Sequence, residues 1–555
     1  MDFKRLFLAL SLSFVFIYVW QLFFMPLPDE PSSYEEKQET INTVSEIKDT
    51  HNTSVGKSNI DLTLISEDIL QLETELLLLK LNNGGSSIYD LKIIEKSIND
   101  SEELKHTGVW NDNGIYEPTL PVQLLTEQLC NPCLIENNQL IVFDNNVKIE
   151  HIDQQHFIQS FSESGIKKTT IVQNDSYIID HMFFNLNPSQ NYQLVWSGGI
   201  EPTEPNIKED INMLTAFIED GTSYEEEVVN NINELLVYNN IGWGGLKTKY
   251  FMKAITNENY QTIKAKNVTF KSNNQLIKED INFIYSDMTF DYGLGNESIN
   301  TFSYIGPIET NQLKNSRTSH LVQLFGFGWF IIGYLGQFVL WLLTSLYSIV
   351  PNYGVVCILF AFIVRVFTGP LTKQSFISNQ KLQKLQPKIK KIQEKHKNDQ
   401  GKLSQATMEL YKKEGVNPLG GCLPILVQMP LLIALFQVFR KTIEFRGAEF
   451  LPIWITDLSQ PDIVVRLQFL ETIPGINYFF GHGIALLPII MGVIMFLSMK
   501  MTATTTEPSA KFAMYFMNGF FILLFNTFPS GLNLYYTMYN VLNFIQQKQL
   551  KKLYS

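Results

Sequence analysis

The chain is short of the residues that most chemistry needs. Its 555 residues include only four cysteines and eight histidines. So few cysteines exclude a disulfide-stapled scaffold. Cys357 and Cys422 fall in apolar segments and read as small buried side chains. Cys130-Asn131-Pro132-Cys133 has the spacing of a redox motif, but no strand-then-helix pattern frames it. The intervening Asn and Pro suggest a turn, so a local disulfide in an oxidising compartment is the better reading. No His/Asp/Glu cluster has metal-ligand spacing, and no nucleophile motif, catalytic carboxylate pair or nucleotide-binding motif stands out. The sequence therefore predicts neither an enzyme nor a bound metal or small-molecule cofactor.

Acidic residues are also scarce in one part of the chain. Residues 26–320 carry 44 Asp+Glu and 20 Lys+Arg, a net of −24. The rest carries 11 acids and 23 bases, a net of +12, within a total of −12. A mean hydropathy of +0.00 hides this division. A polar, acidic aqueous domain joined to a membrane domain with basic flanks accounts for both halves.

Along the chain, Lys4 and Arg5 precede a nearly continuous apolar run over residues 6–25. A cleaved signal peptide and an uncleaved anchor are the two readings. The lack of an A-x-A site and of a lipid-accepting Cys favours an anchor over residues 1–25 with its N-terminus inside. Residues 26–60 are acidic, with few aromatics, and read as a flexible linker. Residues 61–320 show short apolar segments, some alternating, broken by turns such as Ser197-Gly198-Gly199 and Asp291-Tyr292-Gly293. This pattern predicts a β-sandwich.

Residues 321–350 are long and apolar, yet charge argues against a span. Residues 371–417 carry eleven lysines against four acids, which places that loop inside. With the anchor delivering the acidic domain outside, a single further span must return the chain to the lysine loop. Residues 321–350 are therefore expected to lie in the outer interface as an amphipathic helix. Residues 351–550 then supply five spans, at 353–367, 419–439, 484–499, 512–528 and 532–545. Between the first two, residues 371–417 fold as a helical hairpin, with Leu382, Leu385, Ile389 and Ile392 facing Leu403, Thr407 and Leu410-Tyr411. Its lysines, Lys388, Lys390 and Lys391 among them, are either a solvated topology signal or a contact for anionic lipid or ribosomal RNA. Several spans are short against a hydrocarbon core of ~30 Å, which would thin the bilayer locally.

Within the first of these spans sits Arg365, with no Asp, Glu, Lys or His inside the run to neutralise it. A guanidinium at that depth costs roughly 2.5–3.5 kcal/mol on insertion scales unless it faces protein or water. The segment is thus expected to line a wet cavity, with a counter-ion that arrives on a substrate. The alternative is a structural cation bonded to backbone carbonyls.

The motifs Phe362-Ile363-Val364-Arg365, Gly369-Pro370-Leu371-Thr372, Leu385-Gln386-Pro387-Lys388 and Asn417-Pro418-Leu419-Gly420-Gly421-Cys422-Leu423-Pro424 occur in this order. Gln428-Met429-Pro430, Trp454-Ile455-Thr456-Asp457-Leu458-Ser459 and Phe528-Pro529-Ser530-Gly531 follow. Together they resemble the YidC/Oxa/Alb3 family of membrane protein insertases over residues 320–550. The acidic domain looks more weakly like the periplasmic β-sandwich of Gram-negative members. The resemblance implies a membrane α-helical bundle, an anchor plus a five-helix core, around a hydrophilic groove closed toward the periplasm. It assigns Arg365, Gln428, Tyr535 and Tyr536 to groove or substrate contacts. Ala361 stands where members often carry Thr. The implied partners are nascent membrane proteins, the lipid bilayer and the Sec translocon, with the ribosome and signal recognition machinery as further candidates.

A transporter or channel is the rival class, and a tethered periplasmic enzyme a third. Transporters usually carry several intramembrane ionisable groups and internal repeats; this chain shows one Arg and no repeat. With no catalytic chemistry and a flexible linker before it, the acidic domain is expected to be dispensable for basic insertion. The charge asymmetry makes a direct prediction. In intact cells, an impermeant thiol reagent should label a single cysteine at position 274 and spare one at position 391; labelling at 391 overturns the topology.

Overall fold

A computed structural model describes residues 69–554, apart from 83–85, 95–105, 111–115, 127–129, 145–146, 197–198, 220–223, 229–235, 239–242, 258–266, 278–280, 315–316, 325, 328–329, 397–398, 417–422, 468–482 and 503–507. The expected anchor at 1–25, the linker at 26–60 and the motif at 417–422, with Cys422, lie outside the described residues.

The acidic region is built on sheets, as its turn-broken pattern predicts. Nine antiparallel strands run from Tyr224–Val228 at one edge, through Phe251–Asn257, Ser298–Pro307 and Ile178–Phe184, to Lys148–Ile152 at the other. A six-stranded sheet includes Ile281–Gly293, Tyr192–Trp196 and Cys133–Glu136, and a four-stranded sheet runs from Leu70–Glu73 to Val122–Leu125. All three share one apolar core, in which Trp196, Phe183, Phe217, Leu246 and Leu79 are fully buried. Alternation sets the faces: Leu77, Leu79 and Leu81 point inward while Lys80 reaches Asp90 at 3.4 Å. Cys130 and Cys133 form the local disulfide, and a strand rather than a helix follows it.

Two ties hold the exit from the sandwich. Buried Glu309 accepts from His106 at 2.9 Å, and Arg317 forks onto Asp180 while its guanidinium covers Phe302 at 4.3 Å. Leu313, Leu321 and Leu324 then bury in the sandwich core.

Among the described residues, seven α-helices follow: α1 Phe330–Tyr347, α2 Tyr353–Lys395, α3 Gln400–Lys413, α4 Leu423–Lys441, α5 Leu486–Thr502, α6 Pro508–Phe525 and α7 Ser530–Tyr554. Helix α1 buries Val339 and Leu343 in the bundle core and packs on α4. Its opposite stripe, Ile331, Tyr334, Phe338 and Trp341, is exposed. That stripe is apolar rather than polar.

The second span and the first hairpin arm, expected as separate pieces, are one 43-residue helix. Asn352 caps it by accepting from Val355 at 3.0 Å. Pro370 removes one ladder bond, but side chains support the backbone around it. Thr368 Oγ1 donates to the Val364 carbonyl at 2.9 Å, and Gln546 donates to the Gly369 carbonyl at 3.3 Å. Among the described residues, α2 alone is long and apolar enough to cross a membrane by itself, with a mean hydropathy of 2.1 in its apolar window. Helix α5 has 17 residues and α6 has 18. Each is therefore about 26 Å long, under the ~30 Å of a hydrocarbon core.

The hairpin closes through Leu385, Ile389 and Val416, with Leu382, Leu410 and Tyr411 against them; Ile392 stays outside this cluster. Lys388 pairs with Glu414 at 2.5 Å across the hairpin, whereas Lys390 and Lys391 are exposed. Leu385→Ala should weaken the hairpin by ~2–3 kcal/mol, the cost of a large-to-small change in a small core. The readout is faster tryptic cleavage at the hairpin lysines. Lys388→Gln, an exposed pair, should change that rate little.

Candidate substrate groove

Helical spacing puts Ala361, Arg365, Thr368 and Thr372 along one side of α2, facing α7. Arg365 is 7% exposed. Its Nη1 donates to Thr372 Oγ1 at 3.2 Å and to the Tyr539 hydroxyl at 3.4 Å, and its Nη2 donates to Gln546 Oε1. The Tyr539 ring lies 5.4 Å from the guanidinium carbon. These partners are all neutral, and Arg365 Nε has no hydrogen-bond partner among the described residues. The bonds run to side chains, not to the backbone carbonyls that a purely structural cation was expected to use.

The bundle is apolar on one side of Arg365 and polar on the other. Toward the start of α2, Val356, Cys357, Phe360 and Ala361 pack with Leu435 and Phe439 of α4, Leu487 and Met491 of α5, and Leu532 and Tyr535 of α7. Beyond Arg365 come Thr368, Thr372 and Gln546. Tyr536 is 6% exposed and edge-on to Phe525 at 5.6 Å. Tyr535 is fully buried against Phe360, at 5.4 Å. Half-buried Gln428 faces the Tyr536 hydroxyl.

The structure thus joins Arg365 directly to α7 and sets Gln428 beside Tyr536. Ala361 and Tyr535 belong to the apolar seal one turn outward. The Tyr535 and Tyr536 hydroxyls, like Arg365 Nε, are buried polar atoms without a geometrically sound protein partner among the described residues. The inventory from sequence missed Thr372, Tyr539 and Gln546. Spacing could have found them: Thr372 lies seven residues after Arg365, and Tyr539 and Gln546 extend the face begun by Tyr535.

The loop after α4 covers the apolar end. Ser530 N donates to the Gln460 carbonyl at 2.7 Å, and Gly531 N to the Leu458 carbonyl at 3.0 Å. A Cβ on Gly531 would overlap the Phe439 ring, so α7 begins where only glycine fits. Asp462 accepts from Leu486 N at 3.1 Å and Leu487 N at 2.8 Å, capping α5. Burial pushes the Asp462 and Asp457 carboxyls each up to about 6.

A helical bundle with a buried cation whose described partners are all neutral, polar at one end and apolar at the other, joined to a sheet-rich domain, defines a class: membrane proteins with a large aqueous domain. Comparison with known proteins narrows it. The model of the 60Kd inner membrane protein family matches residues 345–555, and that of the YidC periplasmic domain matches residues 162–342. The membrane protein insertase YidC of Chloroherpeton thalassium is 30% identical over 562 residues, covering 94% of this chain and 90% of that protein. The YidC of Prosthecochloris aestuarii is 29% identical and covers 98% of this chain and 94% of its own. A solved active YidC insertase aligns over 88% of this chain and 93% of its own, at 18% identity and a TM-score of 0.34. The chain belongs to the YidC family of membrane protein insertases. It is an inner-membrane protein with a periplasmic domain, and its substrates are membrane proteins.

The Arg365 contacts predict a stability phenotype. Gln546→Leu removes a neutral acceptor from a buried charge and should cost ~1.5–3 kcal/mol. Tyr539→Phe, which keeps the ring, should cost less. Thermal unfolding of the purified protein in detergent measures both, and the double variant should fall short of the sum because the two share one guanidinium.

Proposed function

We propose that newly made membrane proteins enter a groove between α2, α4 and α7 from the cytoplasmic side, and that Arg365 draws acidic translocated tails into it. The carrying observation is a buried guanidinium whose described partners are all neutral, placed where the bundle changes from apolar to polar. A hydrophilic tail crossing hydrocarbon must shed water, at several kcal/mol for each unsatisfied backbone group. A polar groove shortens the dry path and short helices thin the bilayer, so the remaining barrier falls. The new apolar helix then slides sideways into lipid. This needs no covalent step and no nucleotide, which supports a chaperone-like insertase rather than an enzyme.

In this reading the chain comprises an anchor at 1–25, a linker at 26–60, a periplasmic sandwich at 61–320 whose core also takes in Leu321 and Leu324, an interfacial helix within 321–350 and the insertase core at 351–550. Both termini and the hairpin at 371–417 are cytoplasmic. Gln428 and Tyr536 contact the incoming chain, and Tyr535 and Ala361 form the floor above them. Exposed Lys390 and Lys391 present charge to a ribosome or to anionic lipid, while Lys388 first serves the hairpin. The Sec translocon is a partner for clients that need it, and the chain works in the manner of the Gram-negative YidC type. A transporter reading lacks the multiple intramembrane charges and repeats it requires.

Steering by charge makes Arg365→Lys retain most activity and Arg365→Ala lose clients with acidic tails. In reconstituted vesicles, insertion of a client bearing Asp in its tail should drop about tenfold or more with Arg365→Ala, matching a coupling of ~1.4 kcal/mol or above. The same client with Asn should drop far less. Equal loss for both tails defeats the steering role.

A further inference from the structure

Arg446 is a cation in the outer loop, where the charge bias of membrane proteins puts few. Its side chain is 0% exposed and that of Glu204 is 2% exposed, and Arg446 Nε donates to Glu204 Oε1 at 2.7 Å. Its Nη1 donates to the Thr107 carbonyl at 3.3 Å and its Nη2 to the Thr203 carbonyl at 3.2 Å. The guanidinium carbon lies 4.8 Å from the Trp110 ring, 5.5 Å from Phe251 and 5.9 Å from Tyr116. All these partners belong to the periplasmic domain. Next in the chain, Gly447 has φ +66, and a Cβ there would overlap the Tyr116 ring. Ile443, three residues before Arg446, is buried in the sandwich's own core.

The other side of the same loop holds α7. Gly447 N donates to Asp457 Oδ1 at 3.1 Å, and that oxygen also accepts from Ser459 N and Oγ, each at 2.8 Å. The Asp457 carbonyl accepts from Ser530 Oγ at 2.8 Å. Ser530 is the first residue of α7, the helix that carries Tyr535, Tyr536, Tyr539 and Gln546. A continuous run of bonds therefore leads from Glu204 through Arg446 and Asp457 to the groove wall.

We propose that Arg446 is a positioning residue for insertion: it clamps the outer loop to the periplasmic domain and, through Asp457, fixes the start of α7 so that its polar side chains face Arg365. The inference rests on the groove reading above. A planar guanidinium that makes three hydrogen bonds in a dry site admits one orientation, which an ammonium cannot reproduce. Burying both charges contributes little net stability but fixes how two surfaces meet.

The test uses the full chain in vesicles, with spin labels on Glu163→Cys in the sandwich and Lys552→Cys at the end of α7, and Cys422 replaced by Ser. Arg446→Met/Glu204→Gln removes both charges together, so it should melt close to the parent. Its inter-label distance distribution should nevertheless broaden, and insertion should fall about tenfold. Arg446→Lys should lie between. A double variant that is stable and inserts at the parental rate, or keeps a narrow distribution, overturns the proposal. If the double variant does not fold, the same two readouts on Arg446→Lys decide: a narrow distribution with full insertion overturns it, and broadening with reduced insertion supports it. Arg365→Ala runs alongside. Normal insertion there sinks the groove reading, while the distance distributions still decide whether Arg446 clamps the loop.

Discussion

A positive charge that cannot leave its helix, buried where its partners among the described residues are all neutral, constrains everything around it. Arg365 is kept charged by its chemistry, so the surroundings must supply acceptors. They do so with Thr372, Tyr539 and Gln546. Those three pin α2 to α7 and keep the site polar without neutralising it. A carboxylate in their place would form a closed ion pair. Neutral partners stabilise the cation and leave its field available.

The packing around this charge is directional. Phe360, Phe436, Phe439, Phe525, Phe528 and Tyr535 close the outer end, and Ser530, Gly531 and Asp457 stitch the covering loop to it. The inner end keeps hydroxyls and amides. The short α5 and α6 fall below the ~30 Å of a hydrocarbon core.

The periplasmic domain proves more closely attached than its polar composition and leading linker imply. Ile443 enters its core and Arg446 bonds to Glu204 within it. Deleting the sandwich would strand a buried cation, and breaking such a pair typically costs ~3–5 kcal/mol. A truncation that keeps Arg446 would therefore combine two effects, loss of the domain and exposure of an unpartnered joint. Dispensability of the domain is better judged with Arg446 replaced in the same variant.

Local pattern decided a good deal. Apolar runs and lysine asymmetry mark the membrane half, because hydrophobic length and charge bias act on the chain before it folds. Short apolar segments broken by turns such as Ser197-Gly198-Gly199 mark strands, because a strand needs few residues and turn chemistry at its end. The solitary Arg365 is visible because no neighbour within its run offsets it. The helical stripe at Leu382, Leu385 and Ile389 is legible for the same local reason. Other features depend on residues distant in sequence. Helix α2 runs unbroken past Pro370, and Gln546, far along the chain, bonds the Gly369 carbonyl beside it. The Arg365 partners on α7 and the Glu204 partner of Arg446 come from pairings that no periodicity encodes. Burial, too, is a tertiary outcome: Tyr535 and Tyr536 are adjacent, yet one packs against Phe360 in the seal and the other against Phe525 beside Gln428. What the sequence determined by itself was which segments prefer lipid, sheet or water, since those are properties of a segment. Which polar atoms meet, and which surface the outer loop grips, was decided only by the tertiary structure, since hydrogen bonding and desolvation belong to pairs of groups that folding brings together.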